Sequence, residues 1–277
     1  MSTIISKNEV IARLHQLPSL PLIVQEVIAS FSVTDLDTTL LAHKIMQDQG
    51  LCAKVLRVSN SSFYGMPRKI GPIKDAVTVL GFNTVRSLVL SAGMVQIFPP
   101  SIDSSFDRQN YWRRSFRVAA YSSAPAQCFR MNQETVFTAG MFHDIGQLVL
   151  DLCMPQEFAE LQQQAITDVE LIEIERSVLG FDHAEIGADM MQLWNFPQEI
   201  ERVVRDWRWP AQREAFDPIL CLVHIATLLE NGEDGEQLIA RLSDVSFGRM
   251  QMTWERIEAY LPQSDQLEAA ASLTQIT

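Results

Sequence analysis

An adjacent histidine and aspartate, His143-Asp144, interrupt the apolar stretch Ala139-Gly140-Met141-Phe142-His143-Asp144-Ile145-Gly146-Gln147-Leu148. An imidazole nitrogen and a carboxylate oxygen are both ligands for a divalent cation. A cation with one open position can activate water against a phosphoester. Two ligands are too few for that work, so the residues able to complete the set decide the chemistry. His183, in Gly180-Phe181-Asp182-His183, is the nearest further ligand type. It stands just after Asp182, a residue suited to cap a helix, and is expected as an exposed first-turn residue. His15, His43 and His224 lie singly on helical patterns with no partner spacing.

Other chemistries find no footing. The chain has no Gly-x-x-x-x-Gly-Lys loop, no Gly-x-Gly-x-x-Gly after a strand and no Gly-x-Ser-x-Gly elbow. An anionic nucleotide could be held only by scattered cations. Arg113 and Arg117 are one helical turn apart, Lys54 and Arg57 share another face, and Arg68-Lys69 follow Tyr64-Gly65. The four cysteines (Cys52, Cys128, Cys153, Cys221) form no C-x-x-C pair and sit in apolar company, which suits buried, reduced thiols.

The elements that must position these groups are helices. Leu20, Val24, Val27, Ile28 and Phe31 line one helix face, and Leu51, Val55 and Val58 another behind a cap at Asp48. Pro72 opens a helix that Gly81 ends, and Asn83 is placed to cap the next. A longer helix over 111–128 is expected to kink or stop at Pro125. Asp182-His183-Ala184-Glu185 has the pattern of a capping box, and Asp217-Pro218 opens the apolar helix 219–229. Nothing alternates like a strand. The spacing predicts an all-α protein. Phe98-Pro99-Pro100 marks the break between a helical lobe over residues 1–100 and a second over 101–230, with a helical extension over 231–277.

Of 277 residues, 47% are hydrophobic and 20% charged, an ordinary globular balance. The N-terminus lacks the basic-then-apolar form of a signal peptide, and no apolar run approaches the ~20 residues of a membrane span. A cytoplasmic protein that binds no membrane is the expectation. Net charge is -12, against general nucleic-acid binding, and it is unevenly divided. Residues 1–130 carry 14 Lys and Arg against 8 Asp and Glu, whereas residues 131–277 carry 8 against 26. Such a division can steer a charged partner to one side.

Taken in order, several motifs resemble the HDOD family, bacterial signalling modules derived from the HD metal-dependent phosphohydrolase fold. They are Leu17-Pro18-Ser19-Leu20-Pro21, the stretch from Leu51 through Asn60-Ser61-Ser62-Phe63-Tyr64-Gly65, Ile73-Lys74-Asp75-Ala76-Val77, Tyr111-Trp112-Arg113-Arg114-Ser115, His143-Asp144, and Trp194-Asn195-Phe196-Pro197. Asp48-Gln49 stands where the family usually has Asp-Pro. The resemblance implies an N-terminal helical bundle packed on an HD-like C-terminal bundle.

It also implies a damaged metal site. The catalytic pattern uses an earlier histidine, the His-Asp pair and a later aspartate; here the first falls at Arg114 and the last near Thr227. Arginine repels a cation and a threonine hydroxyl is a poor ligand. The vestigial set is thus His143, Asp144, His183, Arg114 and Thr227, with no metal and no cofactor expected. A buried Asp144 needs a cationic partner, and Arg114 is the expected one.

The implied function is non-enzymatic signal transduction through a signalling protein in trans. Asn60, Phe63, Tyr64, Arg113 and Arg117 form the candidate interaction surface. A divergent phosphohydrolase using His143, Asp144 and His183 is the enzymatic alternative. A sensor binding an anionic nucleotide in the old pocket is the third. Trp207, Trp209 and Trp254 are expected to pack between helices.

Overall fold

The structure is a computed structural model that describes residues 5–16, 20–32, 38–61, 64–99, 104–210, 215–242, 253–263 and 267. Leu17-Pro18-Ser19 and Phe63 fall outside these residues. Among the described residues there is no strand. No helix among them is long and apolar enough to cross a membrane.

The N-terminal helices are α1 (Lys7–Leu14), α2 (Leu22–Ala29), α3 (Thr38–Ile45), α4 (Gln49–Ser59), α5 (Ile73–Leu80) and α6 (Phe82–Ile97). Asp48 caps α4 by accepting from the Leu51 amide at 2.9 Å. Asn83 makes no cap, because α6 begins one residue before it. Gly81, at φ 84°, turns the chain directly from α5 into α6. Along α6 Val85, Leu88, Val89, Met94 and Val95 are buried. That helix packs on α2, α4, α5 and α8.

The remaining helices are α7 (Arg108–Ser123), α8 (Gln133–Phe142), α9 (Ile145–Cys153), α10 (Pro155–Gln164), α11 (Asp168–Leu179), α12 (His183–Leu193), α13 (Gln198–Asp206), α14 (Pro218–Glu230), α15 (Gly235–Leu242) and α16 (Trp254–Glu258). The long helix ends at Ser123, and Pro125 sits in a tighter 3₁₀ turn over Ala124–Phe129. Helix α7 packs on α8 and α14. Gly140 allows the first of these approaches, since a Cβ there would stand 2.8 Å from the Ala119 Cα.

One continuous apolar cluster runs from Val10 through α6 and α7 to Val204, Trp207 and Leu267. A second covers the outer face of α14, where Leu238 and Ile257 meet Leu222, Ile225 and Leu228. Fully burying an aromatic side chain such as Phe116 or Phe142 contributes about 1.5–3 kcal/mol. Ion pairs tie the basic first half to the acidic second. Lys7 reaches Glu185 at 2.9 Å and Asp189 at 3.3 Å, and Arg117 pairs with Glu230. Glu185 is thus turned to Lys7, and only the Asp182 half of the expected capping box forms.

Candidate functional site

His143 and Asp144 occupy the break between α8 and α9. The His143 Nδ1 donates to the Gly140 carbonyl at 2.7 Å, because a carbonyl only accepts; that leaves Nε2 unprotonated in the neutral ring. Burial holds the pKa of His143 below the ordinary histidine value, opposed by the neighbouring Asp144 carboxylate. The Nε2 atom stands 3.7 Å from Asp144 Oδ2.

Two glycines bring His183 to this pair. A Cβ on Gly146 would lie 1.7 Å from the His183 carbonyl oxygen, and one on Gly187 would lie 2.9 Å from the Gly146 amide nitrogen. Helices α9 and α12 can cross this closely only without side chains at both positions. His183 is therefore not an exposed first-turn residue. It is fully buried, with Nε2 3.6 Å from Asp144 Oδ1. Its other nitrogen, Nδ1, donates to the Glu175 carboxylate at 2.7 Å, which also accepts the His183 amide at 2.9 Å.

The partner of Asp144 is Arg208, not Arg114. Arg208 Nη2 lies 2.6 Å from Asp144 Oδ1 and 2.9 Å from His183 Nε2. The same carboxylate accepts from Trp207 Nε1 at 3.3 Å and from Gln147 Nε2 at 3.0 Å. Arg208 is 6% exposed and stacks on the Trp207 ring, 4.1 Å from its centroid. Burial alone would raise the pKa of Asp144, yet Arg208, then His143 and His183, hold it well below the usual carboxylate range.

At His183, burial pulls the pKa down. Glu175, helped by Asp144, pulls it up by more, to about 9. A proton on Nε2 would nevertheless face the Arg208 donor at 2.9 Å, donor against donor. The contact itself requires an unprotonated Nε2, so Arg208 and Glu175 act on this ring in opposite directions.

Arg114 lies elsewhere because its helix aims it along the cleft toward α14. Its side chain, 37% exposed, donates to Asn231 Oδ1 at 3.0 Å and stands 4.0 Å from Glu230. An exposed contact of this kind contributes about 0–1 kcal/mol. Arg114→Ala is therefore expected to lower the unfolding free energy measured in urea by less than about 1 kcal/mol. A larger loss would mean that Arg114 does support the buried cluster.

A cavity of about 240 Å³ is lined by Arg114, His143, Asp144 and Gln147. A second, of about 560 Å³, is lined by Arg114, Trp207, Arg208, His224, Thr227 and Asn231. Arg114 and the segment Ile166-Thr167-Asp168 border both. Four of the five vestigial residues thus face one composite cleft, with His183 behind it. Thr227 donates its hydroxyl to the Val223 carbonyl at 3.0 Å and offers nothing to Asp144. Among the described residues no group of three or more His, Cys, Asp or Glu is arranged to hold a metal ion. The position a cation would take beside Asp144 and His183 holds the Arg208 guanidinium.

The expected interaction residues are dispersed. Asn60 clips its own loop, its amide donating to the Leu56 and Ile70 carbonyls while its oxygen accepts from the Ile70 amide. Tyr64 lines a cavity of about 260 Å³ beside Ser87, Phe137 and Tyr260. Arg113 is half-buried and donates to Asn110. Arg117 is bound to Glu230. Trp207 is buried, and Trp254 packs on Gly235.

Three residues central to the cluster went unread in the sequence. Gln147 follows Asp144 by one helical turn, a spacing that predicts contact. Glu175 falls on the buried face of α11 with Leu171 and Ile172, and a carboxylate at a core position demands a partner. Arg208 carries no such mark. It lies 64 positions from Asp144 in a turn between two tryptophans, and only the packing of α13 delivers it.

The fold has solved counterparts. A protein from Shewanella amazonensis provisionally named a phosphohydrolase is 23% identical and matches 99% of this chain and 100% of its own, with a TM-score of 0.79. An HDOD domain protein of unknown function from Geobacter sulfurreducens is 21% identical over 98% of each chain, with a TM-score of 0.77. At these identities the likeness is one of fold. An uncharacterized protein of Treponema pallidum is 24% identical over 246 residues, and this chain spans about half its length, 47%. The family model for the HDOD domain matches residues 17–208, most of the chain and the whole buried cluster through Arg208, so the chain belongs to the HDOD family.

Proposed function

We propose that this protein is a non-enzymatic signal-transduction module that acts by binding a signalling protein, with its His-Asp pair converted from a metal centre into a structural cluster. One observation carries the reading: Arg208 Nη2 sits 2.6 Å from Asp144 Oδ1, between that carboxylate and His183. A guanidinium cannot lose its proton at any ordinary pH, so it neither activates water nor leaves the carboxylate free to ligate. The partners of His143, a backbone carbonyl and a carboxylate already paired, offer no nucleophile. What supports binding as the function is a family fold kept intact around a site with no free chemistry.

The test is bound metal per chain by elemental mass spectrometry, followed by a phosphoester screen and quantitative capture of partners from the native cell. Trace metal, no turnover and a partner recovered in stoichiometric amount are expected. Near-stoichiometric iron, manganese or zinc, with phosphoester turnover lost in Asp144→Ala, would overturn the reading in favour of a phosphohydrolase.

A further inference from the structure

We propose that Arg208 is the residue that excludes a divalent transition cation from the His143, Asp144 and His183 cluster, and that removing it leaves a zinc site. The inference rests on the reading that the native cluster holds no metal.

Both imidazoles are already held as metal ligands are held. A ligating histidine characteristically donates its second ring N–H to a carbonyl or carboxylate, which fixes the ring and points the other nitrogen inward. His143 Nδ1 is bound to the Gly140 carbonyl at 2.7 Å, and His183 Nδ1 to Glu175 at 2.7 Å. Their Nε2 atoms stand 3.7 and 3.6 Å from opposite oxygens of Asp144. Two atoms each about 2.0–2.1 Å from one tetrahedral cation lie roughly 3.3 Å apart, so each imidazole nitrogen stands a few tenths of an ångström too far from its carboxylate oxygen, and with Arg208 present the three do not close round an ion.

Arg208 Nη2 fills the intervening place, 2.6 Å from Asp144 and 2.9 Å from His183. It brings the positive charge a cation would bring, and like charges cannot share the position. The guanidinium is imperfectly housed, since its Nε and Nη1 groups are buried without an acceptor. Filling this place with a cation that leaves two donors unsatisfied makes sense for charge and poor sense for packing. The neighbouring cavity of about 560 Å³ has room for the water that completes a coordination shell. Two imidazoles and one carboxylate suit zinc or a similar transition ion, whereas magnesium and calcium require oxygen ligands.

The test compares wild type with Arg208→Ala and Arg208→Met, purified in zinc-free buffer. Zinc is titrated against a chromophoric chelator, and melting is followed with and without zinc and with magnesium. Each variant is expected to take up one zinc per chain and to melt several degrees higher with zinc than without, while wild type and magnesium show neither effect. Adding Asp144→Asn to Arg208→Met is expected to abolish the uptake. A variant unfolded in zinc-free buffer is refolded with zinc or with magnesium, and recovery in zinc alone counts as support. No uptake and no zinc-dependent recovery in both variants would overturn the role of Arg208 and leave the non-enzymatic reading standing. Equal uptake by wild type would overturn both.

Discussion

Gly146→Ala is expected to cost about 3 kcal/mol of unfolding free energy or to prevent folding, the upper end of what an overpacked core loses. The added Cβ would stand 1.7 Å from the His183 carbonyl oxygen and within 2.9 Å of the Gly187 amide. Both neighbours are backbone, so no rotamer relieves the clash. Helices α9 and α12 have to move apart, and their separation carries His183 away from Asp144. Gly93 provides the contrast. A Cβ there meets the Val24 Cγ2 at 2.3 Å, the end of a side chain that can turn aside. Gly93→Ala should therefore cost less than half as much. Urea unfolding followed by circular dichroism measures both, and equal midpoint shifts would sink the argument for a backbone crossing.

The second large effect is expected at Arg208. Arg208→Ala leaves the Asp144 carboxylate buried with its charge unmatched, a change that costs about 3–5 kcal/mol when one member of a buried pair is removed. Arg208→Met combined with Asp144→Asn removes both charges and should recover most of that loss. The deficit should also depend on pH, in a direction the site fixes. Without Arg208 only burial opposes the pull of Glu175, and His183 takes up a proton that Asp144 can meet. A histidine whose folded pKa is raised stabilises fully below its unfolded value of about 6.5. It loses that contribution as pH rises toward its folded value. Asp144, buried and deprived of its partner, has its own pKa raised by burial and also favours the acid side. The gap between variant and wild type should therefore widen as pH rises above about 6.5. A gap that stays constant or narrows over that range would show that His183 does not answer for the missing arginine.

Much of the architecture was written in local pattern. Capping by Asp48, Asp182 and Asp217, the stop at Gly81 and the break at Pro125 are decided within a few residues, and they appear where the spacing placed them. The helix start at Asn83 failed because Gly81 can turn the chain at once, which spacing alone does not reveal. Within the site, the side chains lining the cleft followed from motif order, but their pairing did not. Arg114 is near in sequence logic to the His-Asp pair, and yet its helix points it toward Asn231 and Glu230. Arg208 is remote and reaches Asp144 only because α13 packs on α12 and α8. Burial of His183 likewise depends on two glycines 41 positions apart meeting face to face, a tertiary fact with no local signature.

The division of charge between the chain's two halves bears on how the molecule assembles. In the unfolded polypeptide a basic first half and a strongly acidic second half attract one another before any native contact exists, over a range set by the Debye length. The native ion pairs Lys7–Glu185, Lys7–Asp189 and Arg117–Glu230 each join the two halves, so early collapse and final structure are pulled in the same direction. Salt screens that attraction, and the step it should slow is the meeting of the ends, well before the core is packed.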